Sequence, residues 1–133
     1  MREPNVSRAS GFTVGTHPSA SFTSVFVTAS DGLMLHVRSY GSRVPSALPV
    51  VCLPGLARTA ADFHALATVL ANDSANPRLV LAPDYRGHGQ SQYDRNPNNY
   101  TIPVALADLS TVLDSFEILR PYLSARLLVA YLQ

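Results

Sequence analysis

Apolar positions come in short bursts whose spacing changes along the chain. Val25, Phe26 and Val27 lie in a run from Ser24 to Ala29, Ser30-Asp31-Gly32 interrupts it, and a second run extends from Leu33 to Tyr40. Asp-Gly between two such runs predicts a tight β-hairpin. In the second run Leu33, Leu35 and Val37 alternate with Met34, His36 and Arg38. That alternation predicts a half-buried strand with His36 on its solvent-facing side. No carboxylate or nucleophile stands near His36 in the order a catalytic triad requires, so it carries no catalytic expectation.

The pattern changes after a polar linker from Gly41 to Leu48. Pro49-Val50-Val51-Cys52-Leu53 is continuously apolar and is ended by Pro54-Gly55, which suits a strand buried on both faces of a parallel sheet. Thr59 predicts a helix cap with Asp62 in the first turn, and Phe63, Leu66, Ala67 and Leu70 repeat at helical spacing up to Asn72. After a loop from Asp73 to Pro77, Arg78 to Pro83 reads as a second short buried strand, completing a strand-helix-strand crossover. A further helix is expected from Val104 to Phe116. Leu106, Leu109, Leu113 and Phe116 form its apolar stripe, with Asp108 and Asp114 on the solvated side.

Composition adds bounds. A chain of 133 residues, 47% hydrophobic and 14% charged, is one small globular domain with few charges to protect an exposed sheet edge. Its net charge is +1, and its ten basic residues are all arginines dispersed along the chain. No patch fits nucleic acid or an anionic membrane. Residues 1–22, rich in Ser, Thr, Gly and Pro, read as a flexible tail without the apolar core of a secretory signal. No later run is long enough to span a bilayer, so the expected location is cytoplasmic. Without an export signal the Asn-x-Ser/Thr triplets at Asn5, Asn72 and Asn99 are chance matches. Cys52, the only cysteine, reads as a small core hydrophobe.

The densest chemistry is Asp84-Tyr85-Arg86-Gly87-His88-Gly89-Gln90-Ser91. It reads as a loop at the carboxyl end of a strand, in which Gly87 and Gly89 allow tight turning while Asp84 and Arg86 tie the loop down. It is no phosphate loop, because an Asn-Pro-Asn loop follows instead of a helix opening with Lys or a third Gly. His64, on a helix, and His88, in this loop, read as surface residues.

Asp31-Gly32-Leu33, Leu53-Pro54-Gly55-Leu56-Ala57-Arg58 and the Asp84–Ser91 segment with Tyr100-Thr101 together resemble the α/β-hydrolase superfamily, most closely its single-domain bacterial esterase-like members. The resemblance implies an α/β, three-layer fold, with an N-terminal β-hairpin followed by β-α-β-α units as the front half of the hydrolase sheet. In that family the loop after the buried strand donates a main-chain N–H to the oxyanion of a tetrahedral intermediate. The resemblance therefore assigns the Leu56 N–H as donor and Gly55 as the position whose missing Cβ lets substrate approach. Pro54 stands where many relatives carry His. Implied too are a small-molecule ester or related acyl substrate, a Ser (less often Asp or Cys) nucleophile, a His base and an acidic partner, with no cofactor and no metal.

No Gly-x-Ser-x-Gly occurs in these residues, although in the family the nucleophile turn should begin near Arg120-Pro121. Ser124 lacks flanking glycines, and residues 119–133 read as a terminal helix or frayed apolar tail. The expectation is an inactive hydrolase fragment, without the triad and cut before the nucleophile strand; the alternative is a non-catalytic α/β interaction module, or a part completed by another chain. A sheet ending after its fourth strand would leave apolar area and an edge in water, so marginal stability and aggregation are expected. Codons from Pro121 onward, read from their third base, are compatible with a buried strand running into Gly-Thr-Ser-x-Gly-Gly. The nucleotide sequence across codons 119–133 is thus expected to encode a nucleophile turn in a shifted frame, and a shifted frame without Gly-x-Ser-x-Gly would refute this.

Overall fold

The Asp-Gly signal closes a hairpin in the computed structural model, which describes residues 12–16, 22–55, 58–118 and 128–132. Gly32 takes φ 91°, and the turn is closed by Ala29 N–H to Leu33 O at 2.8 Å and Gly32 N–H to Ala29 O at 2.9 Å. The hairpin strands are β2 (Thr23–Thr28) and β3 (Met34–Tyr40). Preceding them is β1 (Phe12–Thr16), antiparallel to β2. The stretch expected to be a flexible tail therefore contributes an outer strand.

The continuous apolar runs form β4 (Val50–Pro54) and β5 (Val80–Pro83), parallel to each other. Between them the chain makes a 3-10 turn, Ala60–Phe63, and then helix α1 (His64–Ala71). After β5 and its loop comes α2 (Ile102–Ser115). Leu128–Leu132 forms β6, parallel to β4, so this part of the tail is a strand and not the helix or frayed end expected. The six-stranded sheet runs β1-β2-β3-β5-β4-β6. The expectation that the sheet stops after its fourth strand is thereby corrected, since β6 covers the outer edge of β4.

Alternation along each strand sends side chains to two separate cores, which is why the sheet needs a layer on each face. Val25, Val27, Leu35, Val37, Val51 and Leu81 pack with Val112, Leu113 and Ile118 of the α2 region. On the other face Tyr40, Val50, Cys52, Val80 and Ala82 pack with Phe63, Ala67 and Ala71 of the α1 region. The result is a three-layer α/β arrangement.

Three patterning expectations are corrected by this layering. His36 is 1% exposed, because β3 lies inside the sheet and both of its faces are covered. On α2 the inward residues include Asp108, 8% exposed, whereas Leu106 is 61% exposed; a buried guanidinium described below demands the carboxylate. On α1 Leu66 is 44% exposed, since the small residues Ala67 and Ala71 let the helix lie close to the sheet and turn Leu66 outward.

Phe63 and Leu66 consequently part company. Phe63→Ala should cost about 3–5 kcal/mol of folding stability, and Leu66→Ala within about 0.5 kcal/mol of none. Urea unfolding of the two variants checks this; equal losses would refute the packing of α1 described here.

Candidate active site

Ligand crevices in parallel α/β sheets form beyond the carboxyl ends of the strands where the strand order reverses. Here the chain leaves β4 for β5 on one side and returns to β6 on the other side of β4. The carboxyl end of β4 is that point. Gly55 follows β4 directly and is buried, and the Arg58 N–H returns to the Gly55 carbonyl at 3.0 Å. Leu56, the expected oxyanion donor, lies outside the described residues.

The loop regains contact with the framework at Ala60, whose N–H donates to Asp84 Oδ1 at 2.7 Å. Asp84 ends β5 and is 4% exposed. Its Oδ2 accepts the His36 Nδ1–H at 2.7 Å and the Gln90 N–H at 3.1 Å. Burial, the largest influence, pushes the Asp84 carboxyl up, but the bonds from His36, Ala60 and Gln90 together outweigh it and hold the group below the ordinary 3.8.

Since the carboxylate can only accept, His36 Nδ1 carries a proton toward it, and Nε2 shares a hydrogen bond with the Ser24 hydroxyl at 2.9 Å. Ser24, His36 and Asp84 thus form a hydrogen-bonded Ser-His-Asp chain that the sequence did not reveal. Its members are separated along the chain and meet only because β2, β3 and the end of β5 are neighbours. The chain is buried among the described residues: Ser24 is 9%, His36 1% and Asp84 4% exposed.

Arg86 turns to the opposite face. Its guanidinium meets Asp108 through two bonds of 2.9 Å, Asp31 at 2.6 and 3.1 Å, and Asp94 at 2.7 Å. Asp108, then Asp31 and Asp94, raise the Arg86 pKa further above its usual value. In return, the hydrogen bond from Arg86 holds Asp31 below 3.8. For Asp94 the Asn96 N–H leads, followed by the Asn99 amide and Arg86. The loop residues singled out in the sequence, Asp84, Arg86, Gly87 and Gly89, therefore come together, whereas their partners His36, Ser24, Asp31, Asp94 and Asp108 were not foreseen.

Both loop glycines are required by geometry. Gly87 and Gly89 take φ 75° and 51°, a region costly for residues with a Cβ. A Cβ on Gly87 would run into the Tyr100 ring, and one on Gly89 into the Asp84 carboxylate. The remaining candidates stand apart: His64 on α1 bonds the Tyr40 hydroxyl at 2.9 Å, and His88 Nδ1 bonds the Arg86 carbonyl at 2.9 Å. Cys52 is fully buried, and burial pushes its thiol up to about 11, which makes it unreactive. Among the described residues no group of His, Cys, Asp and Glu side chains could hold a metal ion.

This arrangement is similar to known hydrolases. An α/β hydrolase from Novosphingobium aromaticivorans superimposes with a TM-score of 0.68 at 44% identity, covering 76% of this chain and 34% of that one. The chain belongs to the α/β-hydrolase superfamily. A 3-hydroxybutyrate-oligomer hydrolase from Cupriavidus necator is 33% identical over 90 residues, 66% of this chain and 29% of that protein. An epoxide hydrolase from Vigna radiata shares the α/β-hydrolase fold at 20% identity, with a TM-score of 0.67 over 84% of this chain and 32% of its own. The chain thus spans about a third of the length of these relatives. No protein-family model matches it.

The lowered carboxyls fix the direction of acid sensitivity. A carboxyl held below 3.8 contributes fully above that value, and its contribution is lost as pH falls through the lower folded value. Stability should drop on acidification below about pH 4, and Asp84→Asn should be less stable at neutral pH by about 1–3 kcal/mol yet less acid-sensitive. Urea midpoints from pH 7 down to 3 test this; an unchanged acid slope in the variant refutes the role of Asp84.

Proposed function

We propose that this chain carries the oxyanion side of a hydrolase site for an ester or related small acyl compound. The observation that supports it most is the buried Gly55 at the strand-order reversal, on a loop fastened to Asp84 through Ala60. In such a reaction a nucleophile adds to the carbonyl carbon and negative charge moves onto the oxygen. Main-chain N–H groups after Gly55, with Leu56 as donor, stabilise that oxygen, and one such donor is worth about 100–1,000-fold in rate. The absence of a Cβ at Gly55 admits the substrate. A relative named as a 3-hydroxybutyrate-oligomer hydrolase supports an acyl substrate. Asp84, Arg86, Gly87 and Gly89 frame the site without touching substrate, and the chemistry needs no cofactor.

These residues alone form an inactive part of such an enzyme, acting in the cytoplasm. Their one Ser-His-Asp chain among the described residues is buried. No described helix is long and apolar enough to cross a membrane. A second reading, a non-catalytic module or a part completed by another chain, draws on β6, which ends the sheet with one neighbour only among the described residues.

Incubation of the purified 133-residue chain with a short-chain aryl ester should release no more phenol than buffer does. Turnover above buffer would overturn the inactive reading, and its loss in Ser24→Ala would locate the nucleophile in the buried chain.

A further inference from the structure

Asp84 has a freedom that the loop after β4 does not tolerate. One of its carboxylate oxygens holds Ala60 N–H at 2.7 Å, so rotation of the side chain would displace the start of the 3-10 turn and with it Thr59, its N-cap. Main-chain bonds fix where Asp84 begins: its N–H reaches the His36 carbonyl at 2.9 Å, and its carbonyl accepts the Ser91 hydroxyl at 2.8 Å. The carboxylate plane is held at Oδ2 by the 3.1 Å bond from the Gln90 N–H and by the shorter, 2.7 Å bond from His36 Nδ1, the only side-chain donor among the described residues, whose ring is itself oriented by Ser24 at 2.9 Å and backed by Phe26 with ring centroids 5.1 Å apart. Gly89 closes the remaining side, since any side chain there would collide with the carboxylate.

We propose that His36 is a positioning residue for Arg58–Ala60, the end of the loop after β4: through Asp84 it sets the orientation of the Ala60 main-chain amide. Its relevance to catalysis rests on the oxyanion reading above, but the positioning itself does not. An imidazole on a central strand suits the task. It cannot slide along the sheet, it presents a planar donor at fixed height, and its far nitrogen finds a second buried partner, so rotation would cost two hydrogen bonds.

The test is amide NMR on the full chain. Wild-type Ala60 should show a downfield amide proton, the signature of a short bond to a carboxylate. His36→Phe keeps the ring and removes the donor. It should shift the Ala60 proton upfield and speed hydrogen exchange at Ala60 and Arg58 by about tenfold more than at the core amides of β3 and β5. His36→Asn, whose amide nitrogen can take the place of Nδ1, should restore both signals. If His36→Phe does not fold, Gly89→Ala, which presses on the carboxylate while keeping His36, must give the same loop signature. An unmoved Ala60 proton, or exchange rising equally at every core amide as for a purely structural residue, overturns the proposal. Titration with an alkyl phosphonate, a tetrahedral anion, addresses the oxyanion reading separately: unshifted amides at Gly55 and beyond would sink that reading and leave the His36 result standing.

Discussion

A charged carboxylate taken out of water at the end of a central strand has to find its donors from several directions at once, and the Asp84 site is organised by that requirement. Its oxygens collect a ring N–H from β3 and main-chain N–H groups from the loop after β4 and from its own loop. Each donor belongs to a different segment, so satisfying one charge fixes three pieces of backbone relative to one another. Leaving any donor out would strand a buried charge, which costs far more than the bond contributes when made.

Two residues later the same loop repeats the device with the sign reversed. Arg86 points to the α2 face and gathers Asp31 from the hairpin turn, Asp94 from the following loop and Asp108 from the helix. The short segment from Asp84 to Arg86 therefore rivets both outer layers to the sheet, one through an anion and one through a cation. Gly87 and Gly89 reverse the chain tightly enough for Ser91 to return and bond His36 N–H at 2.8 Å. Polar bonds at the carboxyl end of the sheet carry what the two apolar cores do not reach.

Local rules recovered the elements whose cause is local. The Asp-Gly turn, the continuous runs that became β4 and β5, and the Thr59 helix start needed no knowledge of neighbours. Gly55, Asp84, Arg86, Gly87 and Gly89 were likewise visible as a motif. What escaped was set by contacts distant in sequence. Period-2 alternation in β3 separates two faces but cannot say that both are covered, so His36 read as exposed. On α2 hydrophobicity favoured Leu106 over Asp108, whereas the deciding term was the uncompensated charge of Arg86. Leu128–Leu132 had no turn or alternation signal of its own, and its pairing with β4 supplies the strand identity.

Ser24, His36 and Asp84 also bear on how catalytic machinery is recognised. The three side chains match a hydrolytic triad in residue type and bond lengths, within a superfamily where such a triad is expected. All three are buried. A geometric template that scores only atom separations would report a hit here whatever the access to the serine. Space for a reacting carbon, and an amide aimed at the oxygen it would carry, separate an enzyme's working parts from a beam built of the same material.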